Sequence, residues 1–279
     1  MASVAIVTDS GCDLDGQTAK ELGVRVVPLH IRFDSKDFLD QVELSREEFW
    51  ARCEASSQLP STAAPSSGAF EEAFRSAADE GASGVLCITL ASALSATHQA
   101  ALVAARAVQE EIEVVVLDSG SVSLAQGLCV LEAAEAARSD APLGEIERTA
   151  RSAAERCRLF GTLSTLDYLR RGGRIGPVKA LVGQVLAFKP IIELRGGEVK
   201  LLGRTRTRKR AIQATLEAAA GCGKLERVAI VHSGAADWED VLAAARELAP
   251  TNPIVAIFGP TIGTHVGPGA IGIAALVSD

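Results

Sequence analysis

The sequence predicts an α/β protein of two domains. Residues 1–158 form a parallel sheet with helices on both faces, and residues 159–279 an α/β domain with a mixed sheet. Three observations carry this prediction. Short β-rich runs alternate with helical patterns through the first half, as a parallel sheet requires. Arg195-Gly196-Gly197 separates two apolar runs as a hairpin signal, so the second sheet is not all parallel. A chain of 279 residues fits two domains of ~100–200 residues better than one.

The elements follow in order. Val4-Ala5-Ile6-Val7 reads as a buried strand ending at Thr8-Asp9-Ser10, with a helical stretch to Glu21. Residues 24–33 read as one second strand. Ser45-Arg46-Glu47-Glu48 is a capping box that opens a helix. Helices are expected at 68–80, 94–110 and 124–138, interleaved with strands at 84–90 and 113–117. Pro142-Leu143-Gly144 breaks the pattern before a connecting helix at 145–158. The second half begins with Leu159-Phe160-Gly161-Thr162-Leu163, followed by an almost wholly apolar helical stretch at 178–187. The hairpin pairs 190–194 with 198–202, because adjacent glycines accept the positive φ of a type I′ turn. Strand, helix and strand follow at 228–231, 238–248 and 254–258, and a last strand at 271–277.

Composition narrows the function. With 48% hydrophobic and 23% charged residues the chain is an ordinary globular one, not a disordered or coiled-coil protein. No apolar run reaches the ~20 residues that span a bilayer, so no stable membrane insertion is expected. The cysteines at 12, 53, 87, 129, 157 and 222 form no CxxC pair, and the start lacks a signal-peptide pattern. Reduced thiols and a cytoplasmic location are therefore expected. The net charge of −7 argues against nucleic-acid binding. Yet positions 170–210 hold twelve Lys or Arg against two Glu, a balance of +10, while the other 238 residues carry −17. That asymmetry reads either as a basic face aimed at an anionic partner or as solvated surface.

Common enzyme signatures are missing. There is no GxGxxG after a strand, no GxxxxGK[ST] and no GxSxG elbow. The histidines at 30, 98, 232 and 265 share no metal-ligand spacing. No cofactor or metal is expected, and a binding protein is favoured. Hydroxyl residues cluster instead: Thr62 lies in a Ser/Pro/Ala loop, and Ser92 and Ser95 follow the strand at 84–90. Ligands of open α/β sheets bind beyond the carboxyl ends of strands, and a helix N-terminus there suits a carboxylate or phosphate. Helix capping is the competing reading for each serine. Between Gly259 and Gly269, four glycines and two prolines specify one shaped loop with His265 at its centre. Its imidazole is placed to donate a hydrogen bond to an anionic head group.

These residues also carry a family resemblance. The chain resembles, from end to end, the DegV family, the fatty-acid-binding subunits of bacterial fatty acid kinase. The match rests on Val7-Thr8-Asp9-Ser10, Pro60-Ser61-Thr62, Ser92-Ala93-Leu94-Ser95-Ala96-Thr97, Asp118-Ser119, Tyr168-Leu169-Arg170-Arg171-Gly172-Gly173-Arg174-Ile175, Phe188-Lys189-Pro190-Ile191, the basic run 204–210, and Gly263-Thr264-His265-Val266-Gly267-Pro268-Gly269. The resemblance implies a non-catalytic subunit that buries one long-chain fatty acid and presents its carboxylate to a separate ATP-dependent kinase subunit. The acyl phosphate formed there feeds phospholipid synthesis. It implies carboxylate binding by Thr62, by Ser92 or Ser95, and by His265, and kinase docking by Arg174 and Arg206. The acyl chain is expected against Val182, Val185 and Leu186 of the apolar helical stretch and Ile191 and Ile192 of the next strand. The chain departs from the family pattern at Ala63, Ala64, Ala91, Ala96 and His98, which removes polar partners near the head group. The alternative reading is the substrate-binding subunit of a dihydroxyacetone-type kinase, with His265 acting on a small polyol.

Overall fold

The computed structural model describes residues 4–33, 35–56, 58–175 and 188–278. The chain opens with β1 (Val4–Asp9), α1 (Gly16–Leu22), β2 (Val24–Val27), β3 (His30–Phe33), β4 (Lys36–Leu39) and α2 (Arg46–Ala55). It continues through β5 (Ser61–Ala63), α3 (Ser67–Asp79), β6 (Gly84–Thr89), α4 (Thr97–Ala107), β7 (Val114–Asp118), α5 (Ser123–Arg138) and α6 (Leu143–Arg156). The second half holds β8 (Cys157–Thr162), α7 (Asp167–Arg171), β9 (Lys189–Arg195), β10 (Glu198–Thr205) and α8 (Arg208–Ala220). It ends with β11 (Leu225–His232), α9 (Trp238–Ala245), β12 (Ile254–Ile257), α10 (Pro260–Val266) and β13 (Ile271–Val277).

The expected fold class holds. A four-stranded parallel sheet runs in the order β2-β1-β6-β7. Its two faces alternate as a doubly covered sheet requires. Ile6, Leu86 and Ile88 pack toward α5 and α6. Ala5, Val7, Val85 and Cys87 pack toward Phe70 and Phe74 of α3 and Ala101 and Ala104 of α4. A six-stranded mixed sheet runs β10-β9-β8-β13-β11-β12, with β12 parallel to β11 and the other pairs antiparallel. α8 and α9 cover one of its faces. Its other face joins the α5 side of the parallel sheet in one apolar cluster. α5 is therefore packed between the two sheets, and 11 of its 16 residues are buried.

Three sequence readings are corrected. Residues 24–33 are not one strand. Pro28 supplies no N–H, and the Leu29 N–H donates to Ser10 Oγ (3.0 Å), so β2 stays in the parallel sheet while β3 leaves it. β3 pairs instead with β4 and β5 in a third, antiparallel sheet that the sequence did not announce. The segment around His265 is not a loop but a short helix. Pro260 stands in its first turn and Gly267, at φ +72°, ends it, so the prolines and glycines punctuate its ends. The connecting helix gives way to strand at Cys157. The capping box is as expected: the Glu48 N–H donates to Ser45 Oγ (3.1 Å) and the Ser45 N–H to Glu48 Oε2 (3.2 Å). The hairpin is too, with Gly196 at φ +57° and Gly197 at +75°. The apolar helical stretch expected at 178–187 lies outside the described residues.

Candidate functional site

A deep cavity lies between the inner face of the mixed sheet and the carboxyl ends of the parallel strands. Counting its open mouth and the solvent there, the space between its walls comes to about 850 Å³. Leu29, Leu90 and Val122, which follow β2, β6 and β7, line it from one side. This is where ligands of open parallel sheets bind. On the other side the strands present Leu159, Ile192 and Leu194. Gly161 of β8 faces Gly272 of β13 across the ladder, and both line the cavity. The floor there is bare backbone, which makes room above the sheet.

The polar residues in the lining come from four separated segments: Thr62, Ser95, Arg174, and Thr261 with His265 on α10. Thr62 stands on β5, held in register by pairing with Ile31. His265 stands in the last turn of α10. The two side chains meet, with Thr62 Oγ1 3.0 Å from His265 Nε2. Burial first, and the Arg174 charge second, push the imidazole down to about 4, so it is neutral at physiological pH. A neutral ring has one donor and one acceptor nitrogen. Nδ1 is buried without a hydrogen-bond partner among the described residues. Gly172 makes room for it: a Cβ there would lie 2.3 Å from Nδ1. The first glycine of the Gly172-Gly173-Arg174 motif thus has a steric cause.

Of the two candidate serines, Ser95 lines the cavity, where its hydroxyl lies 2.9 Å from Thr97 Oγ1. Ser92 is exposed, and its N–H points to the Asp118 carboxylate (3.2 Å). Arg174 has a place that sequence did not foresee. It is half-buried in the cavity wall, donating from Nε to Leu94 O (3.1 Å) and from Nη1 to Gly172 O (2.6 Å). Arg206 lies elsewhere, exposed, with its guanidinium carbon 5.7 Å from the Phe188 ring centroid. Ile192 lines the cavity, whereas Ile191 is buried but not among the lining residues. Val182, Val185 and Leu186 lie outside the described residues. His98 bonds Thr89 Oγ1 through Nδ1 (2.9 Å), the contact of an ordinary structural helix residue. Ala91 is buried, Ala63 pairs with His30, and Ala96 precedes α4 without a side-chain cap.

The lining is otherwise apolar, and of its polar residues Thr62 meets His265 and Arg174 lies near enough to act on that ring. Such a shape suits a ligand with a long hydrocarbon body and a small anionic head. Among the described residues no helix is long and apolar enough to cross a membrane, and no three His, Cys, Asp or Glu gather as a metal site would require.

Comparison with known proteins gives the same picture. Residues 3–278 match a family model described as "Uncharacterised protein, DegV family". A DegV domain-containing protein of Streptomyces coelicolor is 36% identical over 275 residues, 97% of each chain. A fatty-acid-binding DegV family protein of Thermus thermophilus superposes with a TM-score of 0.89 at 31% identity, covering 99% of this chain and 100% of that one. DegV of Bacillus subtilis, described as a fatty acid binding protein, gives 0.89 at 26% identity over the whole of both chains.

Proposed function

The chain belongs to the DegV family, and from that premise we propose that it binds one long-chain fatty acid in this cavity and presents the carboxylate to a separate ATP-dependent kinase subunit. The observation that carries the reading is the apolar cavity with Thr62, Ser95, Arg174 and His265 gathered in its wall. Energetics assign the two parts of the ligand different duties. A sixteen-carbon acid buries some fifteen methylenes at ~0.8 kcal/mol each, whereas a hydrogen bond to its charged head contributes ~1.5–3 kcal/mol. The chain therefore dominates affinity, and the head-group cluster dominates placement. A small polyol would leave the lining of Leu, Ile, Val and Phe side chains against water, which disfavours a polyol-kinase role.

In this reading the Thr62 hydroxyl and the neutral His265 ring donate to the carboxylate, with Ser95 as a third donor. The Arg174 guanidinium, fixed by two carbonyls, offsets the charge brought in. Arg206 belongs to the basic exterior that would meet the kinase. The decisive experiment is organic extraction and mass spectrometry of protein purified from a bacterial host. About one fatty acid per chain is expected, because an apolar site of this kind fills when lipid is present. Protein that yields no lipid, and takes up none when offered it, overturns the proposal.

A further inference from the structure

Thr62 and His265 belong to elements far apart in the chain, and nothing in β5 or α10 alone makes them meet. A buried network joins those two elements, and one of its members, Thr261, also lines the cavity. Its centre is Asp40, 1% exposed, just after β4 in the three-stranded sheet that also holds β5. The Asp40 N–H donates to Leu29 O (2.9 Å) at the entrance of β3. Its side chain reaches the other way. Asp40 Oδ2 accepts from both the N–H (3.3 Å) and the hydroxyl of Thr261 in the first turn of α10. The same oxygen accepts from Ser10 Oγ (2.8 Å), which itself accepts from the Leu29 N–H (3.0 Å). One residue thus grips the sheet carrying Thr62 by its backbone and the helix carrying His265 by its side chain.

Asp13 repeats the pattern one residue before that helix. Its Oδ1 accepts from the Gly259 N–H (2.8 Å) and its Oδ2 from Ser123 Oγ (2.5 Å) at the start of α5. A Cβ at Gly259 would lie 2.8 Å from Asp13 Oδ1, so only glycine admits this carboxylate. The short helix is therefore held at its first turn by two buried acids from the N-terminal half, and His265 leaves its last turn.

We propose that Asp40 is a positioning residue of the head-group site, which sets the Thr62–His265 pair by tying the three-stranded sheet to the first turn of α10 through Thr261. The proposal rests on the fatty-acid reading for its ligand and on the network alone for its geometry. It gives the Thr8-Asp9-Ser10 segment a task through Ser10, the second hydroxyl on the Asp40 oxygen.

The test compares palmitate with hexadecanol, which share the chain and differ at the head. Wild type is expected to prefer the acid. Thr261→Val and Asp40→Ala are expected to lower the palmitate-to-hexadecanol affinity ratio about tenfold, since one charged-group hydrogen bond is misplaced. Because Thr261 also lines the cavity both ligands share, the ratio and not either affinity is the readout. Thr261→Ser keeps the hydroxyl and Asp40→Asn keeps an acceptor oxygen, so both should retain the ratio. The ring-nitrogen NMR signals of His265 should move in the first pair and not in the second. Folded Thr261→Val with an unchanged ratio and unchanged His265 signals overturns the proposal, as does an equal weakening of both ligands. Should Asp40→Ala fail to fold, Thr261→Val alone decides. Wild type that binds neither ligand would sink the fatty-acid reading, and the His265 signals would still judge the positioning role.

Discussion

His265 is where the chemistry of the cavity concentrates. Its ring is kept neutral by burial and by the Arg174 charge, so it offers a carboxylate a hydrogen bond rather than a full counter-charge. Replacing it, or its partner, should therefore disturb orientation more than retention. Thr62→Val and His265→Ala are expected to keep most of the bound lipid while lowering the rate of phosphoryl acceptance at least about tenfold, since a misplaced nucleophile loses much of its reactivity. Extractable lipid per chain and turnover with a competent kinase subunit measure the two effects, and wild-type turnover in both variants would remove these residues from the site. Much of this was legible at the residue level: Thr62, Ser95 and His265 stood out as hydroxyls and an imidazole in patterned segments. The wall position of Arg174 was not. Which way an arginine turns depends on the carbonyls of Leu94 and Gly172, and only the fold brings Leu94 to it.

At the scale of elements, local signals were read well and long-range ones poorly. The capping box and the two-glycine turn are complete within four residues, so sequence suffices for them. The helix at Pro260–Val266 is not self-sufficient. It is too short to form alone, and its first turn is satisfied by Asp13 and Asp40, more than two hundred residues away. The break between β2 and β3 likewise depends on Ser10. The β9–β10 hairpin shows the opposite case, a local turn with a distant use. Its tip docks on the N-terminal half, where the Gly197 N–H donates to Gly120 O (2.6 Å) and a Cβ at Gly197 would lie 3.0 Å from the Ala93 Cβ. Gly197→Val combines a positive φ with that contact, so a loss of roughly 1–3 kcal/mol is expected in denaturant unfolding. Gly144→Ala, inside α6 with a Cβ that would meet nothing within 4 Å, should hold or slightly raise the midpoint. Equal midpoints for both variants would show that the tip is not docked.

The whole molecule carries two electrostatic features of opposite kinds. Outside, Arg170, Arg171, Arg206, Lys209 and Arg210 are exposed on a chain of net charge −7 and suit docking of an acidic partner. Arg206→Ala should preserve folding and lipid content but slow kinase-coupled turnover, and raised salt should do the same to wild type. A large drop in thermal stability, or turnover indifferent to both changes, would contradict the docking role. Inside, burial raises Asp9 and Asp13 to about 6 and Asp40 to about 7. The native state therefore holds protons that the unfolded chain gives up between about pH 4 and 7, so these groups favour folding increasingly as the pH falls through that window. His265, pushed down to about 4, opposes them between about pH 6.5 and 4. His232, also pushed down by burial, opposes them too. Three acids outweigh two imidazoles, and the melting temperature is expected to rise on acidification from pH 7.5 to 5.5. Asp40→Asn should flatten that rise, and an undiminished slope in the variant would show that Asp40 does not titrate there.

The helix packed between the two sheets has a consequence for how the molecule comes apart. α5 takes its neighbours from both halves, Leu86 and Ile88 on one side and Ala229, Val231 and Ala274 on the other. Releasing either sheet would expose a helix whose residues 123–131 are all buried in the intact molecule, so neither half gains by melting first. Scanning calorimetry should record one endotherm, its van't Hoff enthalpy equal to the calorimetric one. Two resolved endotherms would show that the halves melt independently. A chain cut back to residues 1–158 would keep that helix with half of its cover missing, and should collapse into aggregates rather than persist as an autonomous unit.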